Sequence, residues 1–223
     1  MEWQLRKSIV EYGARVQAAG LVAASDGNIS ARLGSGRFLI TPSGLALGEL
    51  TAKDIVTIDA DGREIAGERK KSSEYRLHLA VYDVRRDVQA IVHAHPPIAN
   101  AFTFAQVSLA KCVVPEVAVT LGVIPTTPYA TPSTQEGADV IRDFIKKHDA
   151  VMLQRHGSVT VGATLREAWH KLDKLEHTAK VIFAARLLGH VQPLSEEEVR
   201  KLARLREEMG LGAGADVLRA CGM

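Results

Sequence analysis

The sequence predicts a single domain of the α/β or α+β class, and three observations lead there. Short runs rich in β-branched residues alternate along the chain with segments of helical periodicity. Hydrophobic residues make up 46% of the 223, enough to bury one sizeable core. No internal repeat or low-complexity linker divides the chain, so one domain over residues 1–210 is expected, followed by a glycine-punctuated, flexible tail over 211–223. The directions in which the strands pair are not legible in one sequence.

The elements follow in order. Residues 3–19 carry Leu5, Ile9, Val10 and Val16 at helical spacing and stop at Gly20, which predicts an amphipathic helix. Residues 28–33 and 37–41 are strand-like and joined by Gly34-Ser35-Gly36, a hairpin signal. Residues 55–59 form a further strand candidate before the turn Asp59-Ala60-Asp61-Gly62. Ser72 and Ser73 stand where an N-cap would, ahead of a helix over 74–82. Residues 88–95 read as a buried strand, with Pro96-Pro97 opening the next helix. Beyond them, 135–148 is expected helical, 150–154 a strand and 164–188 a long amphipathic helix ended by Gly189. Ser195 to Glu198 offers a capping box for a last helix.

Charge and cysteine content narrow the function. Lys and Arg number 28 against 26 Asp and Glu, and a net charge of +2 gives no broad field for nucleic acid or an anionic membrane. The longest charge-free stretch, 88–110, contains His93, His95, Pro96, Pro97 and Asn100, so it belongs to a protein core and not to lipid. The two cysteines, Cys112 and Cys221, cannot make a disulfide framework. Residues 1–7 have no apolar run of the kind a targeting signal carries, and a reducing, cytoplasmic setting is expected.

The chemistry centres on His93 and His95. Side chains at i and i+2 of a strand share a face, so the pair can grip one ion. The alternative is two core histidines bonded to backbone, but adjacent buried imidazoles need polar partners that a charge-depleted segment hardly supplies. Neutral imidazole is a good zinc ligand. A catalytic site needs a third ligand and an open position, and His156, in Gln154-Arg155-His156-Gly157 after an apolar strand, is the best placed of the remaining histidines. His78, His148, His170, His177 and His190 read as solvated or capping residues. Glu74, in the first turn of its helix, is explained by the helix dipole alone unless other groups join it. Ser25-Asp26-Gly27-Asn28, Thr41-Pro42-Ser43-Gly44 and Ser72-Ser73 together supply hydroxyl, amide and backbone donors suited to a phosphate.

These pieces occur in a telling order. Ser25-Asp26-Gly27-Asn28-Ile29-Ser30, Ile40-Thr41-Pro42-Ser43-Gly44, Ser72-Ser73-Glu74, His93-Ala94-His95, Pro128-Tyr129-Ala130-Thr131 and Gln154-Arg155-His156-Gly157 follow one another along the chain. In this the sequence resembles the class II aldolase and adducin-head family, most closely its fuculose-1-phosphate aldolase type, from the first helix to about residue 200. The resemblance implies a three-layer α/β/α fold around a mostly antiparallel sheet, and a homotetramer with sites between subunits. It makes His93, His95 and His156 ligands of Zn²⁺ or another divalent metal, and Glu74 the catalytic acid/base. It assigns the substrate phosphate to Asn28, Ser43, Gly44, Ser72 and Ser73, with Gly27 shaping the loop. The implied reaction cleaves a ketose 1-phosphate to dihydroxyacetone phosphate and an aldehyde.

Glutamate at position 74 favours carbon–carbon cleavage over the related pentulose-phosphate 4-epimerases, which carry aspartate there. The chain departs from the family pattern in having no tyrosine between Gln106 and Pro128, where Val114 and Glu116 stand instead. That departure points to an apolar or sulfur-bearing aldehyde, as with 5-deoxy- and 5-methylthioribulose 1-phosphates. A methylthioribulose-1-phosphate dehydratase and a non-catalytic, adducin-like module are the other readings of the same scaffold. A cupin is disfavoured because no acid follows His95 between positions 96 and 104.

Overall fold

The computed structural model describes residues 2–110, 112–212, 217–219 and 221. Seven strands form one sheet in the order β4-β3-β2-β1-β5-β7-β6. They are β1 (Asn28–Gly34), β2 (Arg37–Ile40), β3 (Val56–Asp59), β4 (Glu64–Ala66), β5 (Ala90–Ala94), β6 (Ala150–Leu153) and β7 (Gly157–Gly162). Every neighbouring pair is antiparallel. The helices are α1 (Glu2–Ala18), α2 (Tyr75–Val84), α3 (Pro97–Phe104), α4 (Pro115–Thr120), α5 (Gln135–Val140), α6 (Arg142–Ile145), α7 (Leu165–Leu188) and α8 (Glu196–Glu208).

Strand alternation sorts the side chains onto two faces. On one, Ile40, Ile58, Ile91, Val151 and Val159 meet Leu77 and Val81 of α2, Ala138 of α5 and Ile145 of α6. On the other, Ile29, Leu39 and Val92 meet Ile9 and Val16 of α1 and Leu165, Ala168 and Leu172 of α7. The result is the three-layer α/β/α arrangement that the resemblance implies. Thr164 caps α7 by accepting from the Glu167 N–H, and the Ser195–Glu198 capping box opens α8. No helix among the described residues is long and apolar enough to cross a membrane.

Several elements differ from the sequence reading. The helix after the serine pair begins at Tyr75, not Glu74, because the Ser72 carbonyl accepts from the Tyr75 N–H and its hydroxyl from the Glu74 N–H, making a turn ahead of the helix. The expected helix over 135–148 is two short ones meeting at Ile141. Strand β4 was hidden by its fully exposed, polar-flanked position at the sheet edge, and β7 by the glycines at both its ends.

His78 is a further correction. It is buried at 1% exposure and not solvated, since α2 turns it toward β1. The cysteines are corrected as well, for Cys112 and Cys221 are joined in a disulfide with their Cα atoms 5.7 Å apart. The chain returns there because Val217 is buried against Ala118 of α4 and Val199 and Ala203 of α8. Of the segment expected to be a flexible tail, 213–216, 220 and 222–223 lie outside the described residues.

Candidate active site

Register brings the first residues together. Asn28 on β1 pairs with His93 on β5, and His93 pairs with Val159 on β7. Because Ile91 and His93 share a strand face, both look toward α2, with Glu74 at its N-cap position. His95 follows just beyond β5, its backbone N–H donating to the Leu21 carbonyl at 2.8 Å. His156 comes from the tight connection between β6 and β7, held by the left-handed Arg155 (φ +57°) and by Asn100, whose amide donates to the His156 carbonyl at 2.9 Å.

Gly157 makes the convergence possible. A Cβ there would stand 2.5 Å from the Ala94 carbonyl oxygen, 2.6 Å from His95 Cδ2 and 3.2 Å from His93 Cε1. Its missing side chain leaves the space the two rings occupy.

The resulting cluster is tight. Nε2 of His93 lies 3.1 Å from Nε2 of His95 and 2.8 Å from Glu74 Oε2, and Nε2 of His156 lies 3.4 Å from Glu74 Oε1. One ligand atom from each of Glu74, His93, His95 and His156 falls within 4.8 Å of all the others, so the group could hold a metal ion. Outer contacts fix the rings. Nδ1 of His93 donates to the Ser158 carbonyl at 2.9 Å, which leaves its Nε2 free for a ligand. Nδ1 of His95 lies 3.5 Å from Asp26.

The electrostatics fit a cation. Burial, then the charge of His93, push His95 down to about 4 and His156 down to about 3, so both are neutral ligands at ordinary pH. Burial works against the charge of Glu74, but facing His93 and the Asn28 amide hold its carboxyl well below the usual range. Burial likewise opposes a charged His93, and Glu74 outweighs it, raising that imidazole above its ordinary value. The pair thus stores one proton where a divalent cation would supply the positive charge instead.

Beside the cluster lies a cavity of about 330 Å³ lined by Gly27, Asn28, Ser43, Gly44, Ser72 and Ser73 together with Glu74, His95 and His156. All of the site residues singled out in the sequence line it except His93, which is fully buried against Glu74. Two segments make the rim. Ser43 donates its hydroxyl to the Lys71 carbonyl and its N–H to the Lys70 carbonyl, while its oxygen accepts from the Ser73 N–H. Both of its own donors are therefore engaged in tying the 41–44 loop to the 70–73 segment. Gly27 holds φ +77°, and a Cβ there would meet Val22 at 2.6 Å and the His93 carbonyl at 3.0 Å.

Three residues given no site role by the sequence reading also belong here. Asp26 stands behind His95, and His78 behind Asn28. Ser133, held at φ +62°, reaches over to donate to the Ser73 hydroxyl at 3.1 Å. The hydroxyl-rich run Thr131-Pro132-Ser133-Thr134, which begins on the last residue of Pro128-Tyr129-Ala130-Thr131, was the available signal for Ser133.

Comparison with known proteins gives the family. The model of the class II aldolase and adducin N-terminal domain matches residues 7–183, and the chain belongs to that family. It is 32% identical over 207 residues to the 5-deoxy-D-ribulose 1-phosphate aldolase of Bacillus thuringiensis serovar kurstaki, covering 92% of this chain and 96% of that one. It is 31% identical over 208 residues to the 3-oxo-tetronate 4-phosphate decarboxylase of Pectobacterium atrosepticum, covering 91% and 94%. Among solved structures, an L-fuculose 1-phosphate aldolase superposes with a TM-score of 0.84 at 29% identity, covering 92% of this chain and 96% of that one.

Proposed function

We propose that this chain is a zinc-dependent aldolase that cleaves a ketose 1-phosphate, of the fuculose-1-phosphate or 5-deoxy- or 5-methylthio-ribulose-1-phosphate type, to dihydroxyacetone phosphate and an aldehyde. One observation carries the reading. Three imidazoles and one carboxylate converge within 4.8 Å at the end of a cavity lined by hydroxyl and amide groups. His93, His95 and His156 would hold the zinc, and neutral nitrogen ligands suit that ion. When bound, the metal supplies a Lewis acid for the negative charge that bond cleavage places on the substrate's carbonyl side.

The chain's own groups do the rest. Asn28 and Ser73 bind the phosphate and so place the C3–C4 bond at the metal end of the cavity. Glu74 exchanges a proton with C3. Its Oε2 is held by Asn28 and His93, which leaves Oε1, toward His156, as the oxygen that carries the proton. Conversion of this cluster into a bare interaction module is disfavoured by the ligand atoms it retains.

The relatives' names support a second reading on the same machinery, the decarboxylation of a 3-oxo acid phosphate. There carbon dioxide replaces the aldehyde as the leaving fragment, and the electrons go to the same carbonyl. A homotetramer with shared sites is supported by apolar surface that one chain leaves open, in Phe104 at the end of α3, Tyr129, and Leu187 and Leu188 at the end of α7. A phosphorylated substrate does not cross a membrane unaided, which supports a cytoplasmic setting.

The deciding experiment is an assay of purified, metal-analysed protein against ketose 1-phosphates and 3-oxo acid phosphates, with separate detection of triose phosphate, aldehyde and carbon dioxide. Aldehyde with triose phosphate is the expected product set. Carbon dioxide from the oxo acid alone moves the assignment to the decarboxylase, and no product from either class removes it.

A further inference from the structure

His78 lies fully inside the protein on α2, outside the metal cluster, and it has two hydrogen-bond partners. Its Nε2 meets Asn28 Oδ1, and its Nδ1 lies 2.6 Å from Ser30 Oγ. Ser30 Oγ is 2.9 Å from the Tyr82 hydroxyl, and on the other side Asn28 Nδ2 donates to Glu74 Oε2 at 3.2 Å.

The donor inventory allows one direction along this chain. An ionised carboxylate only accepts, so the Asn28 NH₂ faces Glu74. The amide oxygen only accepts, so His78 carries its hydrogen on Nε2. Burial and then the charge of His93 push this imidazole down to about 3, so it is neutral and its Nδ1 accepts from Ser30. Ser30, its proton used, accepts from Tyr82.

We propose that His78 is a positioning residue, whose Nε2–H holds the Asn28 amide with its oxygen inward, so that one N–H meets Glu74 and the other is offered to the substrate phosphate. Glu74 and a phosphate are both acceptors, and Asn28 can serve them together only in this orientation. Turned over, the amide would set its oxygen against two anionic groups. The inference rests on the roles given to Asn28 and Glu74 in the proposed function.

The test uses full-length, zinc-loaded protein. Imidazole ¹⁵N NMR of the unaltered chain, recorded with and without zinc, is expected to show His78 protonated at Nε2 and bare at Nδ1. A proton on Nδ1 instead would overturn the proposal. That reading needs no substrate and no variant, so it stands apart from whether the aldolase assignment holds. His78→Phe keeps a ring but cannot donate, and is expected to lose roughly 10–100-fold in kcat/KM, the scale typical of outer-shell partners. It should weaken binding of inorganic phosphate as well. His78→Gln, whose NH₂ can reach the same amide oxygen, should recover most of both. Equal losses in the two folded variants, or no loss in His78→Phe, would show that packing alone is at stake. Should His78→Phe fail to fold, the NMR assignment decides.

Discussion

Glu74 Oε2 and His93 Nε2 stand 2.8 Å apart in the interior of the protein, and the other nitrogen of that ring is already tied to the Ser158 carbonyl. The pair shares a proton: Glu74 is held below and His93 above its ordinary value of 6.5. His95 and His156 titrate near 4 and 3 and bind no proton at neutral pH. Metal binding must therefore expel about one proton, from His93, and not three. The logarithm of metal affinity should rise with a slope of about one per pH unit below the His93 pKa, then level off. A slope near three in a chelator-competition titration would refute this. In the metal-free protein the signs are opposite for the two partners. The share of stability from Glu74 is present above the ordinary carboxylate range and is lost as pH falls through its depressed pKa. The share from His93 is present below 6.5 and is lost as pH rises through its raised pKa.

Gly157→Ala tests the packing that lets the rings meet. The added methyl has no room between the Ala94 carbonyl and the His95 ring, so β7 must retreat or the ring must turn. Overpacking of this kind costs about 1–3 kcal/mol. The specific expectation is a metal content well below stoichiometric in a protein that still folds. Full zinc occupancy in this variant would show that the imidazoles tolerate a different approach.

Glu74→Gln keeps the size of the side chain and removes its ability to exchange a proton. Turnover should fall by about 10²–10⁴-fold. His93, His95 and His156 remain, so bound metal should stay close to the level of the unaltered protein. Loss of metal in step with activity would make Glu74 a ligand first and an acid/base second.

The fold was legible wherever periodicity was long and punctuation clear. Gly20, Gly34-Ser35-Gly36, Pro96-Pro97, Thr164 and Ser195 mark ends that the structure places within a residue or two. It was not legible where local pattern is weak, as in the exposed β4, or where tertiary contacts decide, as in the break at Ile141. The antiparallel character of the sheet came only from the family resemblance, and the order of its strands only from the structure. In the site, the His-x-His spacing announced itself because i and i+2 share a face. His156 stood out as the best placed remaining histidine, after an apolar strand, whereas Glu74 needed the resemblance, since nothing local separates it from an ordinary helix-start glutamate. His78 was misread for a related reason. A lone histidine on an amphipathic helix looks solvated unless Ser30 and Asn28, some 50 residues earlier, are known to face it.

The phosphate rim yields a last prediction, because its hydroxyls are not equivalent. The Ser43 proton is committed to the Lys71 carbonyl, so removing that hydroxyl loosens the joint between two loops but takes no donor from a ligand. Ser73 accepts from Ser133 and so keeps its own proton for an incoming anion. A hydrogen bond to a charged group is worth about 1.5–3 kcal/mol. Ser73→Ala should thus raise KM for a phosphorylated substrate by about tenfold or more, with kcat changed less. The same variant should be indifferent to the dephosphorylated sugar, whatever its low basal rate. Ser133→Ala removes only the group that orients Ser73, and its KM should fall between those of the unaltered protein and Ser73→Ala. If the two variants raise KM equally, Ser133 touches the phosphate itself; if Ser73→Ala leaves KM unmoved, the cavity does not take the phosphate at this rim.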